Sequence, residues 1–139
     1  MRVDRELVER KISLILQDLE QLRRLAAMTA EAYLADPRNE ALGERFLERI
    51  IGRLIDINFH IITEETQATP RDYYDSFLRL GPLGVLSADR ANRCARLAGL
   101  RNRIVHEYNS LDESLIFAAI HDVVAELPAY LAEILRYLG

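Results

Sequence analysis

The sequence predicts an all-α protein: an antiparallel helical bundle with two long helices, short intervening helices and a long C-terminal helix. Apolar residues recur at three- and four-residue steps through most of the chain, the spacing of one face of an α-helix. No strand-like alternation, glycine-rich phosphate loop or internal repeat competes with that pattern. With 139 residues, half of them apolar, the stretch 1–139 reads as a single domain able to bury a core without disulfides or metals.

From about Asp4 to Ala35, the residues Leu7, Ile12, Ile15, Leu16, Leu19, Leu22 and Ala26 mark a first helix, which Pro37 is expected to stop. A second helix is expected from Ala41 to Glu65. Its Phe46, Ile50, Leu54, Ile57 and Ile61 repeat at steps of four, four, three and four, and Leu47, Ile51, Ile55 and Ile62 broaden the apolar face. Thr69 before Pro70 resembles an N-cap followed by a proline at the first helical position, opening a short helix around Arg71 to Arg79. Gly81, Pro82 and Gly84 interrupt the chain. Ser87, with Asp89 in the first turn, begins another short helix that is expected to reach Ala98, where Gly99 permits a bend. Asn109 and Ser110 make a turn candidate. Ser110 with Glu113 has capping-box spacing, and Asp112 is a competing cap for a final helix in which Pro128 is expected to cause a local disturbance.

The composition narrows the function classes. The single cysteine, Cys94, cannot form an internal disulfide, and the N-terminus opens on charged residues instead of an apolar signal region, so a cytoplasmic location is expected. No uninterrupted run approaches the ~20 apolar residues of a bilayer span, and no membrane association is expected. A net charge of -4 argues against a generally basic nucleic-acid binder. Between Arg71 and Arg103, however, seven arginines face three aspartates, so the remainder of the chain carries -8. Seventeen of the eighteen basic residues are arginine, a side chain suited to bidentate pairing with carboxylate or phosphate.

That positive segment leads into Gly99–Tyr108, G-L-R-N-R-I-V-H-E-Y. If it is helical, Asn102 and His106 share a face, Arg101 and Tyr108 align over two turns, and Arg101 and His106 diverge around the axis. Ile104 and Val105 anchor the segment in the core. An unperturbed imidazole, with a pKa of ~6.5, exchanges protons near neutrality, and a guanidinium holds anionic oxygens without losing its charge. Such a pair can cleave RNA without a metal: the 2′-hydroxyl attacks its neighbouring phosphate, His106 acts as general base or acid, and Arg101 stabilises the charge on the phosphoryl oxygens. One histidine cannot fill both proton-transfer roles in a concerted step. The other role falls to a second copy's histidine, water or another side chain.

The segment from Arg101 to Tyr108 fits R-x4-H-x-Y and resembles the motif of HepT-like HEPN ribonuclease toxins of type VII toxin-antitoxin systems. The resemblance continues through F-L-E-R-I-I-G-R-L-I-D-I-N-F-H at Phe46 to His60, Y-Y-D-S-F at Tyr73 to Phe77 and the terminal helix, and so covers most of the chain. It implies a helical HEPN bundle, usually a homodimer that brings two motifs to one cleft, and a metal-independent endoribonuclease without cofactor. Arg101 and His106 take the positions associated with cleavage, and Asn102 takes that of a polar residue that organises the bend. Tyr108 takes that of a tyrosine that a cognate minimal nucleotidyltransferase antitoxin modifies with AMP, silencing the toxin. The expected partners are therefore RNA, that antitoxin and a second copy of the chain.

Arg101 and Arg103 also fit salt-bridge or helix-edge roles, and Arg103 alternatively steers RNA toward the cleft. Arg49, Arg53, Asp56 and His60 read as a solvated edge with ordinary pairing or as the border of a cleft or subunit contact, with Asp56 and His60 placed to orient the central cleft; His121 reads as structural and Cys94 as a packed thiol. Three scattered histidines and one cysteine give no metal framework. A noncatalytic helical RNA-binding or protein-interaction module is the alternative to the nuclease.

Overall fold

The computed structural model describes residues 2–139, except for the side chain of Tyr108. Its elements are α1 (Arg5–Ala26), α2 (Ala30–Ala35), α3 (Pro37–Thr66), α4 (Tyr73–Leu78), α5 (Ala88–His106), a 3₁₀ turn (Tyr108–Ser110) and α6 (Glu113–Leu138), with no strand among the described residues.

Local capping sets the boundaries, and several fall away from their expected places. The first long segment is two helices. Thr29 turns out of the helix and accepts a hydrogen bond from the Ala32 N–H at 3.1 Å, so the chain restarts as α2. Pro37 does not stop a helix; it begins one. Asp36 caps α3 by accepting from the Arg38 N–H at 3.0 Å, and proline occupies a first-turn position where a missing N–H costs nothing. Thr69 is likewise not the cap of α4. Asp72 takes that role, accepting from the Asp75 N–H at 2.7 Å. Asp75 in turn accepts the Arg71 N–H at 2.9 Å and pairs with the Arg71 and Arg79 side chains, which holds Arg71 outside the helix. The hydrogen bond from the Arg71 backbone, ahead of the two guanidinium groups, keeps the buried Asp75 carboxyl below its usual range.

Polar contacts define the packing directions. The Asp4 N–H donates to His60 Nε2 at 2.9 Å, Lys11 pairs with Asp56 at 3.0 Å, and Asp18 receives Arg49 Nε at 3.1 Å and Arg53 Nη1 at 2.8 Å. Partner numbers on α3 fall as those on α1 rise, so the two helices are antiparallel. Arg5 Nη1 donates to the Leu138 carbonyl at 3.1 Å, which sets the end of α6 beside the start of α1. Arg90 pairs with both Glu126 and Glu133, tying the start of α5 to the second half of α6.

Between these helices lies the core, in which Ile15, Leu19 and Leu22 meet Ile50, Leu54, Ile57 and Ile61 with no exposed surface. A full side chain of this size stabilises by roughly 1.5–3 kcal/mol when removed from water. Gly43 permits the closest approach: a Cβ there would come within 2.6 Å of the Tyr33 hydroxyl and 2.9 Å of Ile120 Cδ1. By length and composition α6 is long and apolar enough to cross a membrane. In the bundle its Ile116, Ile120, Val123, Leu127, Leu131 and Ile134 are buried.

Candidate functional site

The whole R-x4-H pattern lies on α5. Ser87 caps the helix by accepting from the Arg90 N–H at 3.2 Å, and Ala91, Cys94, Ala95 and Ala98 bury one face. Gly99 does not bend the chain: the helix continues through it to His106, where the Glu107 N–H donates to the Arg103 carbonyl at 2.8 Å. Arg103 and His106 occupy the last turn, where the helix dipole favours positive charge. Beyond it the 3₁₀ turn changes direction, and Asp112, not Ser110, caps α6 by accepting from the Ser114 N–H at 2.9 Å.

Each motif residue then has a definite setting. Arg101 is half-buried and faces a cavity of about 650 Å³ between α1, α3, α4 and α5, lined also by Lys11, Arg49, Arg53, His60, Gly52 and Tyr73. Ile104 is buried and anchors the helix. Asn102, Arg103 and His106 are exposed, and Arg103 borders a second groove of about 640 Å³ between α5 and α6. Among the described residues His106 lines neither cavity. Five residues along a helix amount to ~140° around the axis and ~7.5 Å of rise, so a single chain does not gather Arg101 and His106 into one pocket. Tyr108 begins the 3₁₀ turn and is not a continuation of α5, so the expected two-turn alignment with Arg101 does not hold. Its side chain lies outside the described residues.

The arginine-rich segment divides into committed and uncommitted charge. Arg71 and Arg79 hold Asp75, Arg90 holds Glu126 and Glu133, and Arg93 pairs with Asp89 and Glu126. Among the described residues Arg96, Arg101 and Arg103 have no carboxylate within ion-pair distance. The free positive charge is thus concentrated at the motif end of α5. Arg101 is also enclosed at Nε, which has no hydrogen-bond partner among the described residues. Its guanidinium carbon sits 5.2 Å from the centroid of the Tyr73 ring.

The neighbouring polar residues have structural work. Arg49 and Arg53 neutralise Asp18, Asp56 holds Lys11, and His60 accepts the N–H that begins α1. His121 rests edge-on against Phe117, with centroids 4.8 Å apart. Burial pushes the Cys94 thiol up to about 12, so it is a packed, protonated group. Among the described residues no group of three or more His, Cys, Asp or Glu is placed to hold a metal ion. Tyr73, part of Y-Y-D-S-F and far from Arg101 along the chain, joins the site only through the fold.

Comparison with known proteins places this geometry in a family. The Ribonuclease HepT-like family profile matches residues 15–134. The chain is 31% identical over 132 residues to the tRNA nuclease HepT of Aphanizomenon flos-aquae (strain 2012/KM1/D3), covering 95% of this chain and 90% of that protein. Bacillus subtilis YutE, a cytosolic protein of unknown function, superposes with a TM-score of 0.85 at 19% identity, over 99% of this chain and 92% of YutE. The tri-AMPylated Shewanella oneidensis HEPN toxin in complex with MNT antitoxin superposes with a TM-score of 0.84 at 19% identity, over 94% of this chain and 98% of that one. These two likenesses show a shared helical fold. With its profile match spanning most of the sequence and a full-length homologue at this identity, the chain belongs to the Ribonuclease HepT-like family.

Proposed function

We propose that residues 1–139 act as one domain, a metal-independent endoribonuclease toxin of the cytoplasm whose substrate class is tRNA. The observation that carries this reading is the uncommitted Arg101 guanidinium facing a cavity, on the same helix as an exposed imidazole. The substrate class follows the name of the Aphanizomenon relative, and the cytosolic description of YutE supports the location.

Because α5 turns its arginine and histidine to different sides, the reaction site is completed by a second copy in a homodimer that sets the two motifs at one cleft. His106 takes the proton of the 2′-hydroxyl as its oxygen bonds to phosphorus. The second copy's Arg101 donates N–H bonds to the non-bridging oxygens as their charge grows, and water protonates the departing 5′-oxygen. The products are a 2′,3′-cyclic phosphate and a 5′-hydroxyl. Asn102 and Arg103, exposed on the same helix, contact the RNA backbone.

Control is assigned to a cognate minimal nucleotidyltransferase that attaches AMP to Tyr108. The tri-AMPylated Shewanella toxin and its MNT antitoxin support this partner class. A phosphate-bearing group two residues from His106 would occupy the approach of RNA phosphate and repel it, with no unfolding required. The test is cleavage of tRNA in EDTA before and after treatment with the transferase and ATP. Cleavage in EDTA that disappears with an adduct on Tyr108 supports the reading; cleavage that requires added metal, or survives the adduct, opposes it.

A further inference from the structure

We infer that Tyr73 is a positioning residue for Arg101, one whose ring fixes the guanidinium at the cavity while consuming none of its N–H donors. This inference rests on the nuclease reading above.

A catalytic arginine must be held in place and yet remain free to bind phosphate. A carboxylate partner would satisfy the first need and defeat the second, because it bonds the same N–H fork and cancels the charge. An aromatic face attracts the cation through its quadrupole and leaves the in-plane donors available. Arg101 has the second kind of support. Its guanidinium carbon lies 5.2 Å from the Tyr73 centroid, and among the described residues it has no carboxylate partner. On another side is Gly52, where even a Cβ would stay 3.9 Å from Arg101 Nε.

Tyr73 is itself anchored from three helices. Phe59 of α3 meets its ring edge-on, with centroids 6.1 Å apart. Its backbone carbonyl accepts the Ser76 hydroxyl at 2.6 Å, Ser76 Oγ accepts from Asn58 Nδ2 at 3.3 Å, and Asn58 Oδ1 accepts from the Tyr130 hydroxyl of α6. Asn58, Ser76 and Tyr130 are fully buried, so this chain of bonds is rigid where Tyr73 itself is 39% exposed. The core thus sets the orientation of a half-exposed aromatic, and the aromatic sets that of the arginine.

The experiment is steady-state cleavage of tRNA by the wild type, Tyr73→Phe, Tyr73→Leu and Tyr73→Glu, with melting temperatures for each. Tyr73→Phe keeps the ring and is expected to cleave at the wild-type rate. Tyr73→Leu is expected to lower kcat about 3- to 10-fold, the size of a partly exposed cation–π contact, with KM little changed. Tyr73→Glu is expected to lose more, because it offers Arg101 a carboxylate at an exposed position that stability tolerates. Activities that simply follow the melting temperatures, or a Tyr73→Leu enzyme as fast as wild type, overturn the positioning role alone. A wild-type dimer that leaves tRNA intact overturns the nuclease reading, and the inference falls with it.

Discussion

Arg101 and His106 stand on one unbroken helix, five residues apart, the first half-buried against a cavity and the second exposed at the helix end. They diverge by ~140° around α5, and in the proposed mechanism one copy presents one of the two groups to a given phosphate. On the proposed reading the site is composite, and its parts are separable.

Separability gives a direct prediction. Arg101→Ala and His106→Ala are each expected to lose cleavage, and mixing the two proteins under conditions of subunit exchange is expected to restore part of it. A mixed dimer still carries one intact guanidinium and one intact imidazole. Light scattering that reports dimers in the mixture, without any recovered activity, would count against the shared cleft.

Asp18 offers a test of the scaffold. It is buried at 4% exposure between α1 and α3 and bonded by Arg49 and Arg53, the latter with a side chain only 21% exposed. Arg53→Ala leaves that carboxylate with one half-exposed partner and is expected to cost about 2–3 kcal/mol in urea unfolding. Asp18→Leu is expected to cost less, since both arginines can reach water. A loss below ~0.5 kcal/mol for Arg53→Ala would mean that the pair is effectively solvated.

The start of α6 carries a pH dependence of known sign. Burial, followed by the neighbouring Glu44 and Glu40 carboxylates, pushes the Glu113 carboxyl up to about 8. The Tyr33 hydroxyl beside this group is buried and raised as well, first by burial and then by Glu113. The folded chain holds a proton on Glu113 that the unfolded chain releases near ~4.3. Its contribution is present below that value and is lost as pH rises to about 8. Glu113→Gln is expected to melt above the wild type at pH 9 and to converge with it near pH 4. Parallel melting curves across that range would contradict the assignment.

Much of this was legible from residue order. The four-four-three-four spacing of Phe46, Ile50, Leu54, Ile57 and Ile61 belongs to α3, and Ile104 anchors the motif helix as its apolar character indicated. Residue order is ambiguous where one residue type has two uses. Pro37 reads as a stop or as a first-turn residue, and only the Asp36 cap decides between them. Thr29 breaks a stretch rich in good helix formers, with neither glycine nor proline to mark it. Gly99 is tolerated inside α5 because packing outweighs its propensity cost of roughly 1 kcal/mol. The Tyr73 to Arg101 contact had no local signal, since it depends on how α4 is fixed against α3 and α6.

In the proposed reaction an imidazole and a guanidinium cleave RNA through its own 2′-hydroxyl. Product-end analysis of tRNA treated with the unmodified wild type, His106→Ala and Arg101→Ala in EDTA tests it most directly. The wild type is expected to leave 2′,3′-cyclic phosphate and 5′-hydroxyl ends, and each variant to lose about 100-fold or more, the scale of a proton-transfer or oxyanion-stabilising group. Products ending in 5′-phosphate, or folded variants that cleave as fast as the wild type, would contradict it.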